Sequence, residues 1–389
     1  MDKIDEILTR GVENIYPSKE ALKKKVLSGK KMKVYIGIDP TDPNLHLGHA
    51  IALRKLRQFQ DLGNEAILLI GDFTGMIGDP TGKNATRVQL TREQVLENSK
   101  GYKKQISNIL DFDGKNPAKI KYNSEWLDSL TYKEIIKIAA HLTASQMFNR
   151  DMFQKRLESG GEVGFHELMY PMMQGYDSVT MDVDMEIGGN DQMFNMLVGR
   201  DLMKKMKNKE KFVLTTKLLI DPAGKKMGKT EGNMITLRDS ADDMFGKIMS
   251  WSDELIILGF ELCTGVKMKD IEEVCKENPR DAKLRLAYEV VQLYHGEKEA
   301  ERARDNFIKL FSKREIPKDI EEIKAKKDEE LEKILVGNKI VSSNSEFRRL
   351  VRAGAIDING KALQDSKFKV RENIAVKVGK KKFLKIISK

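Results

Sequence analysis

The sequence predicts an α/β protein built on a doubly wound parallel sheet, followed by an α-helical segment and a small α+β end. Three observations carry this. A strand–helix–strand unit is legible in VYIGID (34–39), HLGHAIALRKLRQFQDLG (46–63) and EAILLIGD (65–72). Strand signals then fade between about 232 and 325. Finally, the last sixth of the chain has a compact pattern and a charge balance of its own.

Residues 1–32 read as helical, with Ile4, Ile7 and Leu8 on one face and a break at Pro17-Ser18. VYIGID is a short apolar run closed by Asp39-Pro40, the pattern of a buried strand ending in a turn. The helix that follows stops at Gly63, where helices commonly end. EAILLIGD is the next strand, and a βαβ unit implies a parallel sheet with helices on its faces. VDMEIGG (183–189) and NDQMFNMLVGRDLMKKM repeat the strand-then-helix order. Together these give a nucleotide-binding, Rossmann-type domain over 1–231.

Beyond it, DDMFGKIMS, MKDIEEVCKE, DAKLRLAYEVVQLYHG and KEAERARDNFIKLF read as successive amphipathic helices of a second domain, 232–325. KREIPKDIEEIKAKKDEE (313–330) is charged, poor in large apolar residues, and reads as a linker. In the third domain, 326–389, helix-like EFRRLVRAG precedes strand-like AIDING and ENIAVKVGKKKFLKI.

At 389 residues with 40% hydrophobic content, the chain can build more than one core. No apolar run reaches the roughly 18 residues of a membrane span. The acidic, charged start fits neither a signal nor a transit peptide. Cys263 and Cys275 lack metal-like spacing and read as reduced thiols of a cytoplasmic protein. The net charge is +10, and residues 332–389 hold 15 Lys+Arg against 5 Asp+Glu, so the whole excess sits there. A neutral body with a basic end is the footprint of a polyanion-binding appendage.

Two motifs carry chemistry. His46-Leu47-Gly48-His49 places two of the chain's five histidines at one strand-to-helix junction. Helix N-termini stabilise phosphates, and an imidazole on that turn can donate to a phosphate oxygen. Gly48 lets a base or ribose approach the backbone. Alone, an HxGH would be read as ordinary helix surface and core. The second motif, Lys225-Lys226-Met227-Gly228-Lys229-Thr230, lies in the glycine-containing stretch DPAGKKMGKTEGN, which reads as a mobile flap over a triphosphate. It is not a P-loop, and alone it would be read as a solvated turn.

The pair, in this order and about 180 residues apart, resembles the paired motifs of class I aminoacyl-tRNA synthetases. YIGIDPTDPNLHLGH, GDFTGMIGDPTGK, MYPMMQGYD and IGGNDQ are similar to the tyrosyl branch in particular, and SSNSEFRRLVRAGAIDINGKAL resembles the S4-like RNA-binding module of bacterial tyrosyl enzymes.

That resemblance implies a homodimeric enzyme that activates L-tyrosine with ATP, accompanied by Mg²⁺, and transfers it to tRNA(Tyr). Tyr35 and Asp177 would read the substrate hydroxyl. A buried pair committed to a phenol is left unpaired by phenylalanine, and tyrosyl enzymes are themselves the standing illustration of that rejection. Asp79, Tyr170 and Gln174 would meet the ammonium, with Gln192 completing the pocket. Asp39, Gly48, Gly189 and Asp191 would lie on the ribose and adenine side. Thr41, His46, His49, Lys226 and Lys229 would handle phosphates, with Lys83 and Arg87 bearing on pyrophosphate. Neither a metal cage nor a tightly bound cofactor is implied. Leu47, Gly228 and Ile36 depart from the residues common in the family. Gly228 bears on loop closure and Ile36 on one ATP contact.

Two other readings fit part of this pattern. One is a tryptophanyl-type or generic nucleotidyl-transferring enzyme. The other is a non-catalytic RNA-binding paralogue.

Overall fold

The computed structural model describes residues 3–81, 89–148, 150–220, 234–276, 278–312, 321–338, 340–359, 361–379 and 382–388. They form two compact units, 1–300 and 301–389.

The first unit is organised by a six-stranded sheet of β1 (Val12–Tyr16), β2 (Lys33–Ile38), β3 (Glu65–Ile70), β4 (Lys119–Tyr122), β5 (Met185–Gly189) and β6 (Phe212–Thr216). The strand order is β1-β6-β5-β2-β3-β4. All neighbours are parallel except β1, which runs antiparallel on the β6 edge. From β2 the chain winds outward through β3 and β4, then returns to the other side of β2 as β5. A topological switch point therefore lies between β2 and β5, where the carboxyl ends of strands leave a crevice. Helix Leu47–Asp61 packs against β2, β3 and β5, and helix Met193–Lys207 against β5 and β6. Such cover explains why Ala66 through Ile70 are buried without alternation. Helices Phe165–Met181 and Met193–Lys207 make the most extensive helix–helix contact. A Cβ at Gly175 would lie 3.1 Å from the Gly199 Cα, so two glycines let these backbones approach.

The amino-terminal expectation needs a correction. Helices Lys3–Ile7 and Lys19–Leu27 form, but VENIY between them is strand β1. Its residues are mostly half-buried, as suits an edge strand, so no strong period marks it. The second helix begins where Pro17-Ser18 indicated, with Ser18 Oγ accepting from Ala21 N at 3.2 Å.

The helical segment comprises Ala241–Met249, Leu255–Cys263, Met268–Val274, Pro279–His295 and Glu297–Ser312. Leu255–Cys263, absent from the sequence reading, is an apolar run lacking a polar face, and it packs on helices Pro279–His295 and Leu47–Asp61.

In the second unit, β7 (Glu321–Ala325), β9 (Ile356–Ile358), β10 (Lys361–Ala362), β12 (Ile374–Val378) and β13 (Lys382–Ser388) form a sheet in the order β10-β9-β12-β13-β7. A separate ribbon pairs β8 (Glu329–Glu330) with β11 (Lys369–Val370). Helices Leu331–Gly337 and Asn344–Arg352 complete it, around a core that includes Leu335, Phe347, Val376 and Ile386. The stretch read as a linker thus contains β7 and β8. Ile323 and Ala325 are the inward face of β7, which pairs in parallel with β13, and the surrounding charges masked that two-residue stripe.

Candidate active site

The crevice at the switch point is built from the turn after β2. Ile38 ends the strand; Thr41 N then donates to Asp39 O at 2.8 Å, and Thr41 is exposed. His46 is the N-cap of the next helix. Its Nδ1 accepts from Gly48 N at 3.1 Å, and His49 Nδ1 accepts from His46 N at 3.3 Å. The two rings stack with centroids 3.9 Å apart. A neutral imidazole that accepts at Nδ1 carries its proton on Nε2, so both rings are set as Nε2–H donors beside a helix N-terminus. A Cβ on Gly48 would fall 2.9 Å from His46 Cε1, so glycine is required for that ring position.

The chain following the lysine-rich stretch returns to this turn. Leu47 N donates to Ile235 O at 3.0 Å, and Leu237 N donates to Leu45 O at 2.8 Å. Lys226, Gly228 and Lys229, like Lys83 and Arg87, lie outside the described residues.

Asp39 is brought onto Tyr170, whose hydroxyl donates to Oδ2 at 2.8 Å, and onto Thr74, whose hydroxyl donates to Oδ1 at 2.7 Å. Burial, then the charges of Asp39 and Asp79, push the Tyr170 phenol well above its ordinary range and keep it protonated. Asp177 is buried, with Oδ1 accepting from Trp126 Nε1 at 2.8 Å and Oδ2 from Asn123 Nδ2 at 3.3 Å. Burial raises its carboxyl well above the usual range, against the pull of those two donors. Tyr35 is fully buried with its hydroxyl 2.8 Å from Ser178 Oγ. Burial, then the charges of Glu186 and Asp177, raise its phenol. Tyr35 and Asp177 are thus electrostatic neighbours, but each hydrogen-bonds to other residues.

A second polar chain joins the remaining pocket candidates. Gln192 Nε2 donates to Asp79 Oδ2 at 2.6 Å. Asn195 Nδ2 donates to Gln192 Oε1 at 3.1 Å and to Gln174 Oε1 at 3.0 Å. Gln174 Nε2 donates to Glu186 Oε1 at 3.0 Å, and Glu186 pairs with the fully buried Lys211. On its other side Asp79 Oδ1 accepts from Thr81 Oγ1 at 2.7 Å, which in turn accepts from the buried Arg150 at 2.9 Å. Tyr170 and Gln174, four residues apart, share a helix as expected. Gly189 ends β5, and Asp191 lies in the following 3₁₀ turn; both are half-buried.

Sequence reasoning missed Thr74, Asn123, Trp126, Ser178, Asn195 and the Glu186–Lys211 pair. Only Glu186 carried a signal, as a lone charge inside the otherwise apolar run MEIGG. Among the described residues no cluster of three or more His, Cys, Asp or Glu could hold a metal ion. No helix among them is long and apolar enough to cross a membrane.

Residues 27–312 match the family described as tRNA synthetases class I (W and Y), and residues 313–386 match the tyrosine--tRNA ligase SYY-like C-terminal domain. The chain is 44% identical to a tyrosine--tRNA ligase of Carboxydothermus hydrogenoformans, with 98% of this chain and 97% of that protein covered. It is 42% identical to tyrosine--tRNA ligase 2 of Clostridium acetobutylicum, over the full length of both. Among solved structures, a C-terminally truncated Coccidioides posadasii mitochondrial tyrosyl-tRNA synthetase superposes with a TM-score of 0.64 at 26% identity. That match covers 78% of this chain and 91% of the other. With the fold, the histidine-capped helix and both family matches in agreement, the chain belongs to the tyrosyl-tRNA synthetases of class I.

Proposed function

We propose that this tyrosine–tRNA ligase forms and holds tyrosyl-adenylate in the crevice between β2 and β5. The observation that carries the reading is that one turn after β2 supplies both Asp39, bonded to Tyr170, and a helix N-terminus with two Nε2–H imidazole donors. The helix N-terminus suits phosphates and the Asp39–Tyr170 pair suits hydroxyl and ammonium groups.

In this reading Asp79, Tyr170 and Gln174 receive the tyrosine ammonium, Gln192 completes that pocket, and Tyr35 with Asp177 reads the phenol. Asp39, Gly48, Gly189 and Asp191 face ribose and adenine. Thr41, His46 and His49 meet the phosphates, joined by Lys226 and Lys229, with Lys83 and Arg87 assigned to pyrophosphate. The tyrosine carboxylate attacks the α-phosphorus in line and pyrophosphate leaves. A 3′-terminal ribose hydroxyl of tRNA(Tyr) then attacks the acyl carbon and AMP departs. No side chain needs to act as a nucleophile, so catalysis is positioning plus charge stabilisation. Mg²⁺ is assigned to the ATP phosphates it travels with, and no step depends on a protein-held ion.

Residues 1–231 are assigned to catalysis, 232–325 to the anticodon side, and 326–389 to RNA binding. Arg349 and Arg352 at the end of helix Asn344–Arg352 support the last assignment, as does the local charge surplus. A homodimer is supported by exposed apolar side chains on two packed helices: Tyr132 and Ile136 on Tyr132–Ala139, and Phe165 on Phe165–Met181. The protein is assigned to the cytoplasm, which suits its free cysteines. The deciding experiment is ATP–pyrophosphate exchange measured with each of the twenty amino acids. Tyrosine is expected to dominate. Faster exchange with tryptophan would overturn the substrate, and no exchange with any amino acid would overturn the catalytic reading.

A further inference from the structure

A charged residue inside a buried parallel strand needs a reason, because an ion pair of this kind seldom adds stability over an apolar pair. Glu186 is 2% exposed in β5 and Lys211, just before β6, is 0% exposed. Lys211 spends its three protons on Glu186, on Ser178 Oγ at 2.8 Å and on Met196 O at 3.2 Å. The other Glu186 oxygen accepts from Gln174.

A carboxylate only accepts, whereas an amide can turn either its oxygen or its NH₂ toward a neighbour. Gln174, Asn195 and Gln192 form a chain of three amides with a carboxylate at each end, Glu186 at one and Asp79 at the other. Each glutamine must turn its NH₂ outward to its carboxylate, so each oxygen turns inward. Asn195 must then give both Nδ2 protons, one to each glutamine. Its own Oδ1, buried, is left with no partner among the described residues. Reversing any one amide would set oxygen against oxygen. The cost borne at Asn195 marks this polarity as imposed.

We propose that Glu186, paired with Lys211, is a positioning residue that makes Gln174 present its carbonyl oxygen, not its NH₂, to the amino group of the substrate. The inference rests on the assignment of Gln174 to that amino group. Gln174 Oε1 has two lone pairs, one taken by Asn195 and the second suited to an ammonium. With the NH₂ turned inward, a donor would face a cation.

The test removes the pair together, as Glu186→Gln with Lys211→Met, since loss of one partner leaves a buried charge. Affinities for L-tyrosine and for its desamino analogue, 3-(4-hydroxyphenyl)propionate, are measured by calorimetric titration, with KM and kcat from exchange. Tyrosine affinity and KM are expected to worsen about tenfold, the scale of one hydrogen bond to a charged group partly lost, with a much smaller change in kcat. Binding of the desamino analogue should stay within about twofold. Equal weakening of both ligands, or of neither, overturns the proposal. Glu186→Leu with Lys211→Leu, which likewise leaves no charge buried, is expected to give the same ratio where the first double variant does not fold. Gln174→Leu is run in parallel. If it leaves the tyrosine-to-desamino ratio unchanged, the assignment of Gln174 itself is wrong. If it lowers the ratio while the Glu186 variants do not, the assignment stands and the positioning role fails.

Discussion

Replacing Gly48 by alanine should separate stability from catalysis. Gly48 sits in the first turn of helix Leu47–Asp61 with ordinary helical geometry, so alanine there gains up to about 1 kcal/mol of helix propensity. The new Cβ, however, would lie 2.9 Å from His46 Cε1 and 3.0 Å from its Nδ1. The imidazole must swing away, losing the 3.1 Å bond from Gly48 N and its stacking on His49. Loss of a cap costs about 1 kcal/mol, so the two terms nearly cancel and the melting temperature should shift by no more than a few degrees. Catalysis has no such offset. If His46 donates to a phosphate oxygen as proposed, the swung ring gives up that bond, and a hydrogen bond to a charged group is worth about 1.5–3 kcal/mol. That converts to a roughly 10- to 150-fold slower adenylate formation. Stopped-flow measurement of the tyrosine- and ATP-dependent step gives this rate, and equilibrium titration gives tyrosine affinity. An unchanged rate would refute the assignment of His46 to phosphate. A matching loss of tyrosine affinity would show that the substitution deforms the whole crevice.

Three further outcomes are expected. Tyr35→Phe removes a buried hydroxyl 2.8 Å from Ser178 Oγ, and exchange with tyrosine should fall about tenfold while exchange with phenylalanine does not; parallel losses would mean that Tyr35 is structural only. Burial, then the Arg10 and Arg54 charges, lowers the Lys55 ammonium to about 7. Between that value and its ordinary 10.5 the unfolded chain holds more protons, so stability should rise with pH relative to Lys55→Met, by at most about 1.4 kcal/mol per unit. A pH-independent difference in denaturant midpoints contradicts this. Finally, Ile136→Glu combined with Phe165→Ser should halve the mass seen by sedimentation, and an undiminished mass would place the dimer contact elsewhere.

How much of this was legible in the sequence depended on whether the signal was local. VYIGID, HLGH and EAILLIGD announce themselves because a buried parallel strand is an uninterrupted apolar run and a helix start has a restricted chemistry. β1 did not, since a half-buried edge strand leaves no strong period to read. β7 was hidden because Ile323 and Ala325 are its only inward apolar residues among Glu and Lys. The pocket candidates could be named one by one, but their partners could not. The Tyr170–Asp39 bond spans 131 positions and the Tyr35–Ser178 contact spans 143. Glu186 and Lys211 meet only because β5 and β6 pair side by side. Nothing in either residue's neighbours along the chain indicates that meeting.

On the proposed assignments, charge also favours one orientation of the substrate. Free tyrosine is a zwitterion, and only its carboxylate can attack ATP. Asp79 puts negative charge at the end of the amide chain that runs through Gln192 and Asn195 to Gln174. The turn after β2 leads into a helix N-terminus with two imidazole donors and no acidic residue in its first turn. In the proposed reading an ammonium is drawn to the carboxylate of Asp79, while the helix N-terminus attracts phosphates. A tyrosine bound the other way round in that reading would place its anion by Asp79, which is unfavourable. On the proposed assignments this charge separation favours presenting the tyrosine carboxylate to ATP, with the ammonium held at the Asp79–Gln174 end.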